Sequence, residues 1–488
     1  MPQMITLEER QARGTAARTT TPRRVHADWV PAQGRRSPVE LLEQQDADRE
    51  PDLVPVRHGR MMVSPFTFYR GAAKVMAEDL RDTPTAGLLV QLCGDAHLSN
   101  FGIFGSPERR LVFDLNDFDE TLPGPFEYDV KRMAVSFVAA GRDNGFTAAD
   151  TRDAAMASVT AYRTAMAAFA RLKTMDVWYA SADEDTILDA IRSAGEPVPP
   201  TGKAKPGKKK EAKKAGVPDA KLVKFGEKRA RELTDKARTR DSLQALSKLG
   251  EVADGRYRIV SQPPIVVPVR HLSPEASPER VDQLIRGQFQ AYRATLQPDM
   301  RHLLEQFEVV DFARKVVGVG SVGTRAFIVL LQGRDASDPL FLQVKEATAS
   351  VFEGNLPRSR YRQHGQRVVQ GQRLMQASSD IYLGWTRGGE QNRHFYWRQL
   401  RDMKGSLPVE EAVPAGLTLY AQLCGWTLAR AHARSGDPVA IAAYLGGGDA
   451  FDRSITRFAE RYADQNELDY QEFTAAIADG RLAAMQGV

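Results

Sequence analysis

Two short stretches about 200 residues apart carry much of the chemically useful side-chain content of this 488-residue chain, and any fold has to account for both. The first is GDAHLSNFG (residues 94–102) followed by LVFDLNDFDET (111–121); the second is GVGSVGTR, with Gly318, Gly320 and Gly323 spaced as G-x-G-x-x-G around Ser321. In a dinucleotide-binding fold the last glycine opens a helix. Here TRAFIVLL follows, apolar and β-branched, which predicts a strand instead. The glycines therefore predict a hairpin tip. The next β-rich run, LFLQVKEA, then offers Lys345 where a neighbouring strand would grip a phosphate.

In the first stretch Asp95, His97 and Asn100 share one loop, and Asp117 follows a short hairpin. Phosphoryl transfer needs a carboxylate that positions and deprotonates the acceptor hydroxyl, and an amide and a carboxylate that hold magnesium on the ATP phosphates. An Asp followed five residues later by Asn, with a second Asp beyond, supplies such groups. G-D-x-H-x-x-N followed by D-F-D, and by Asp129 twelve residues after Asp117, resembles aminoglycoside and choline phosphotransferases of the protein-kinase-like superfamily. That resemblance implies an ATP- and magnesium-dependent phosphotransferase. Asp95 would be the catalytic base, His97 a brace of its loop, Asn100 and Asp117 the metal ligands, and Asp129 a buried carboxylate bracing the catalytic loop. Asp114 in FDLND stays open as a rival to Asp117. Gly318, Gly320, Ser321, Gly323, Lys345 and Arg398 would contact the nucleotide, and HFYWRQLRDMKGS resembles the hinge whose backbone receives adenine, with Tyr396 and Trp397 either at the base or in the core. The superfamily's Lys–Glu ion pair has no obvious acid here, because the helix expected over about 361–376 contains none; Glu353 and Gln370 are the nearest candidates.

A kinase chain runs glycine loop, lysine, helix, hinge, helix, catalytic loop, metal loop. This chain places its catalytic and metal motifs first. In the ordinary order the catalytic position would fall to Asp437, but Ala442 stands five residues later, with no amide for magnesium. The pattern predicts a circularly permuted, α+β, two-lobed protein-kinase-like fold with a helical insert, in which the helix from Val413 to about Arg434 ends near Leu92 to Asp95. GDAHLSNFG, FDLNDFDET, PFEYDVKRMA, GVGSVGTR, QVKEA and WRQLRDMKGS together resemble the bacterial family catalogued as domain of unknown function 2252.

Six segments are expected: a flexible arm over 1–50, a catalytic-loop region over 51–200, a Lys-rich linker over 201–216, a connecting insert over 217–310, a nucleotide-gripping region over 311–405 and a helical region over 406–488. The net charge of +5 comes from the linker, whose seven Lys and one Glu leave the remainder slightly acidic, so a specific nucleic-acid partner is not expected. Two cysteines exclude a disulfide framework. The N-terminus has no apolar h-region and no window reaches the roughly 18 apolar residues of a spanning helix, which predicts a cytoplasmic protein. A two-metal phosphoesterase, which also uses G-D-x-H, would need a later G-N-H motif that this sequence lacks. The acceptor is expected to be a small molecule, with a protein acceptor, adenylyl transfer and a nucleotide-binding pseudokinase as alternatives.

Overall fold

The structure, a computed structural model, describes residues 5–185, 187–188, 228, 231–232, 234–240, 242–253, 256–272, 277–316, 318–335, 337–388, 392–400 and 403–487; the Lys-rich linker at 201–216 lies outside them. The fold is α+β. Most helices gather in one layer around four short strands: β1 (Leu89–Leu92), β2 (Phe101–Gly105), β3 (Leu111–Leu115) and β4 (Leu122–Pro125). The pairs β1–β4 and β2–β3 are both antiparallel. Beside them stands a six-stranded antiparallel sheet of β5 (Val266–Pro268), β6 (Glu308–Lys315), β7 (Ala326–Gln332), β8 (Pro339–Glu346), β9 (Gly384–Gly388) and β10 (Arg393–Gln399). Its spatial order is β9-β10-β8-β7-β6-β5. The excursion between β8 and β9 contains the helix His364–Met375.

Strand β8 shows how period-2 alternation aims a site residue. Leu340, Leu342 and Val344 join Tyr292, Trp397 and Phe289 in one hydrophobic cluster, whereas Phe341 packs into another with Leu246, Leu249 and Leu330. Lys345 therefore shares the face of Phe341 and Gln343. Register carries that face onto β10, where Tyr396 lies opposite Lys345 and Arg398 opposite Gln343. Trp397 points the other way and stacks on Tyr292 with centroids 4.4 Å apart, a core role. Tyr292 belongs to the helix Pro278–Arg293, so this helix, within the insert expected over 217–310, covers that face of the sheet.

In the helical layer, α1 (Leu7–Thr20), α2 (Pro38–Asp46), α3 (Val54–Met61), α4 (Pro65–Gly71) and α5 (Ala73–Leu80) precede β1. The helical run after Ser64 breaks at Ala72, whose ψ of +35° is not helical. Ser64 and Thr67 form a capping box with Pro65 at the first turn, the combination that starts a helix most firmly. Then come α6 (Phe126–Asp143) and α7 (Ala148–Phe169), and, after the large sheet, α9 (Pro414–Ser435), α10 (Pro438–Leu445) and α11 (Ala450–Ala478), with α8 denoting His364–Met375. Helix α6 is buried on all sides from Phe126 to Gly141 and forms the centre of the layer, packed by α4, α7, α9 and α11. The end of α9 reaches β1, where the Gln91 N–H donates to Ser435 Oγ at 3.2 Å.

Residues 5–50 are not the arm with little core that composition suggests. Their polar surface conceals a few anchors: Val39, Leu41 and Leu42 are buried with Phe68 and Phe473, and His26 bonds Tyr444 at 2.7 Å. Arg35 forks between Asp79 and Asp469, with four contacts of 2.6–2.8 Å that tie the segment to α5 and α11. Removing a guanidinium from two buried carboxylates leaves both uncompensated, at about 3–5 kcal/mol. Arg35→Ala is therefore expected to lower unfolding free energy by about 3 kcal/mol in a denaturant titration; an unchanged midpoint would mean that the segment is only loosely attached.

Candidate functional site

A cavity of about 430 Å³ opens between the helical layer and the large sheet, lined among others by Asp95, His97, Asn100, Asp117, Asp119, Glu120, Gly318, Gly320 and Ser321. The two distant motifs therefore face one another. Gly318 and Gly323 adopt φ of +63° and +84°, a region where a side chain is strained, and this lets the turn between β6 and β7 fold over the acidic loop. Beneath it Lys345, only 2% exposed, places Nζ 2.6 Å from Asp119 Oδ2 and 3.6 Å from Asp117 Oδ2. Tyr396 donates its hydroxyl to Asp119 Oδ1 at 2.6 Å, and Ser321 Oγ reaches Asp119 Oδ2 at 3.4 Å.

Backbone geometry explains the catalytic-type loop. Gly94 has φ +89°, and a Cβ there would collide with the Glu120 carbonyl. The preceding turn is fixed by Asp129 at the start of α6, whose carboxylate accepts the N–H groups of Cys93 (2.7 Å) and Gly94 (2.9 Å) and meets His432 Nε2 at 3.2 Å. Asn100 donates its amide to the Asp95 carbonyl at 2.8 Å and its own carbonyl accepts the Asn116 N–H, joining the two loops. Asp95 receives Arg132 Nε on Oδ1 at 2.8 Å. Its other oxygen, Oδ2, is 3.6 Å from His97 Nε2. Burial raises the Asp95 pKa and Arg132 opposes the rise. Burial, with Arg70 and Arg132 nearby, keeps His97 neutral, and its Nδ1 has no partner among the described residues.

The paired carboxylates divide their proton affinities. Burial and the adjacent Asp119 push Asp117 up. Asp119 is half-buried, yet Lys345 and the Tyr396 hydroxyl hold it below the usual carboxylate range. Lys345 is raised, since the two acids outweigh its burial. Glu120 is pushed up to about 7 by burial, partly offset by the Val351 N–H.

Several expectations change. Asp114 is fully buried outside this cavity: Arg430 pairs with Oδ1, the Leu115 N–H donates to the same oxygen at 2.8 Å and the Ala377 N–H to Oδ2 at 2.8 Å. It is a buried ion pair held by three donors, away from the carboxylates that line the cavity. Neither Glu353 nor Gln370 pairs with Lys345; Glu353 lies 4.0 Å from Arg367 and His364, and Asp119 takes the lysine. Arg367, on the acid-free helix α8, instead grips backbone, donating to the carbonyls of Thr121, Asp119 and Thr348 at 2.7–2.8 Å. Neither Asp119 nor Arg367 was singled out from the sequence; the second Asp of D-F-D was a visible signal for Asp119, while Arg367 is one of several arginines in its stretch. Arg398 turns away from the cavity to Gln343 Oε1 (2.9 Å) and the Asn116 carbonyl (3.1 Å), beside a slot of about 30 Å³. The hinge-like backbone is also taken: the N–H groups of Gln399, Leu400, Met403 and Gly405 donate to Asp380, Phe341, Arg240 and Ile103.

Among the described residues no group of three or more His, Cys, Asp or Glu side chains stands at metal-binding spacing. Magnesium takes one or two carboxylates and completes its shell with water and substrate phosphates, so Asp117 and Asp119, both open to the cavity, together with Asn100, fit such an ion.

The roles of Asp114 and Asp117 separate on stability. Asp114→Ala strands Arg430 in the core and is expected to cost about 3–5 kcal/mol. Asp117→Ala removes one of two neighbouring like charges and is expected to leave the melting temperature unchanged or higher. Calorimetric melting that shows equal losses would contradict this division.

Among the described residues no helix is long and apolar enough to cross a membrane. No curated protein and no solved structure matches the chain. The sequence pattern of a family described as an uncharacterized protein conserved in bacteria, domain of unknown function 2252, matches residues 49–214 and 219–476, and the chain belongs to that family.

Proposed function

We propose that this protein is an ATP- and magnesium-dependent phosphotransferase with a permuted protein-kinase-like architecture, acting on a small molecule. The observation that carries the reading is the pairing of Lys345 with Asp117 and Asp119, two carboxylates that line one cavity together with Asp95, Asn100 and the glycine-rich turn. These are the groups that phosphoryl transfer requires, and they converge from stretches about 200 residues apart in the sequence. The order of the large sheet supports the same reading: glycine turn, lysine strand, helix and two further strands follow one another as in a kinase nucleotide lobe. The contact of α9 with β1 supports the permutation, since that helix would lead into the catalytic loop in the unpermuted order.

Bound ATP with magnesium would supply the electrophilic phosphorus and neutralise charge as it transfers. The residues of the chain divide the remaining work. Asp117, Asp119 and Asn100 would hold the magnesium, and Lys345, which pairs with Asp119, would turn to the phosphate oxygens. Asp95 accepts the proton of the acceptor hydroxyl on Oδ2 while Arg132 fixes Oδ1. The new bond joins the acceptor oxygen to the γ-phosphorus, the bond from that phosphorus to the β–γ bridging oxygen breaks, and ADP leaves.

A second reading, transfer of AMP, is favoured by one observation: the hinge-like N–H groups are occupied and the neighbouring slot holds only about 30 Å³. A base excluded from that slot and seated in the larger cavity would bring the α-phosphorus toward Lys345. Incubation of the full chain with γ-labelled and α-labelled ATP, with cell metabolites as acceptors, separates the readings. The γ-label is expected in the product, and label only from α-ATP would replace phosphoryl with adenylyl transfer. Asp95→Asn is expected to reduce turnover by about two orders of magnitude, the scale of a lost general base, with nucleotide affinity little changed. Full turnover in that variant would remove Asp95 from the mechanism.

A further inference from the structure

The cavity wall on the side of Asp95 contains a cation that the fold does not use. Arg70, in the last turn of α4, is largely buried and lines the cavity, yet its guanidinium has no hydrogen-bond or ion-pair partner among the described residues. The Phe66 ring lies 5.9 Å from the guanidinium carbon, and the carboxylates of Asp95 and Glu410 act on it only from beyond ion-pair distance. The other lining cations are provided for: Lys74 pairs with Glu78 at 2.7 Å, and Arg49 donates to the Val322 carbonyl with Asp46 Oδ1 3.5 Å from its Nε. The position of Arg70 is also fixed. Arg132 binds the carbonyl of the preceding residue, Tyr69, with Nη2 (2.8 Å) and Asp95 with Nε (2.8 Å), so one guanidinium holds both the base of Arg70's turn and the carboxylate proposed to take the proton.

Withdrawing an arginine from water without giving it an acceptor costs stability. Such a cost is typical of groups kept for a ligand. A guanidinium offers a planar fork of donors suited to carboxylate or phosphate. We propose that Arg70 is the anion receptor of the acceptor subsite, and that the acceptor is a small hydroxylated molecule carrying a phosphate or carboxylate, held with the anion on Arg70 and its hydroxyl at Asp95. This rests on the phosphotransferase reading. Lys345 from the sheet side, with Asp117 and Asp119 on the loop it meets, serves the nucleotide, leaving Arg70 to the second substrate.

The test is calorimetric titration of the full chain and of Arg70→Gln with inorganic phosphate, with acetate, and with a non-hydrolysable ATP analogue plus magnesium. One of the two anions is expected to bind the wild-type chain, equally well when the nucleotide analogue is saturating, and to bind Arg70→Gln at least tenfold more weakly. Affinity for the analogue is expected to stay within twofold. Preference for phosphate or acetate then distinguishes a phosphorylated from a carboxylated acceptor. Displacement of the anion by the analogue, joined to a tenfold loss of analogue affinity in the variant, would assign Arg70 to the nucleotide and overturn the proposal, as would failure of both anions to bind. If the wild-type chain binds the anion through Arg70 but no nucleotide, the phosphotransferase reading falls while the anion site stands. Without ligand, Arg70→Gln is expected to melt at or above the wild-type temperature; a marked drop would make Arg70 a packing residue and overturn the proposal independently.

Discussion

The carboxylate of Asp129 is the joint from which the rest of the site hangs. It accepts two backbone N–H groups at the turn before Asp95 and meets His432, which in turn meets the Tyr162 hydroxyl at 2.9 Å. Four segments thus converge on one buried group: the end of β1, the first turn of α6, the middle of α7 and the last turns of α9. A carboxylate at a helix N-terminus also interacts favourably with the helix dipole, so burial is offset from three directions. Because the turn is anchored at its backbone, the side chains of Asp95 and Asn100 are free to face the cavity.

Electrostatics organise the opposite wall. Lys345, Arg367 and Arg398 surround the loop 116–121 from the sheet side, but only Lys345 pairs with the loop's carboxylates; the arginines hold its carbonyl oxygens. Backbone is therefore gripped by groups that cannot lose their charge, while the acids are left to a lysine, whose compact ammonium is more easily exchanged. The arrangement accounts for the absence of an acid on α8: an arginine there positions the loop, and the counter-charge of the lysine comes from the loop itself.

Much of this was legible in the sequence where chemistry and periodicity agreed. The strand after Gly323 and the lysine on the next strand follow from an apolar, β-branched run and from a glycine turn not followed by a helix. Asp95, Asn100 and Asp117 were recognisable by spacing, and they share one cavity. What escaped was decided by tertiary partners. Asp114 and Asp117 lie three residues apart on one polar stretch, and only Arg430, far along the chain, makes the first of them structural. Trp397 and Tyr396 are neighbours whose roles are assigned by strand register, with one facing the core and the other Asp119. Residues 5–50 read as an arm because three aliphatic anchors and one forked arginine are too sparse to form a periodic signal.

The contact between Asp129 and His432 spans 303 positions of sequence, and this has a consequence in time. At ribosomal speeds of about 5–20 residues per second, roughly 15 to 60 s pass between synthesis of one partner and the other. For that interval α6 and α7 lack the helix that completes their packing, and Asp119 waits nearly as long for Lys345. The nascent chain thus exposes an apolar helical face and an uncompensated acidic loop through most of its synthesis, the condition under which chaperone binding protects a protein of high contact order from association. Rejoining the segments in the opposite order would remove that delay, so the arrangement of this chain affects how it is made as well as how it folds.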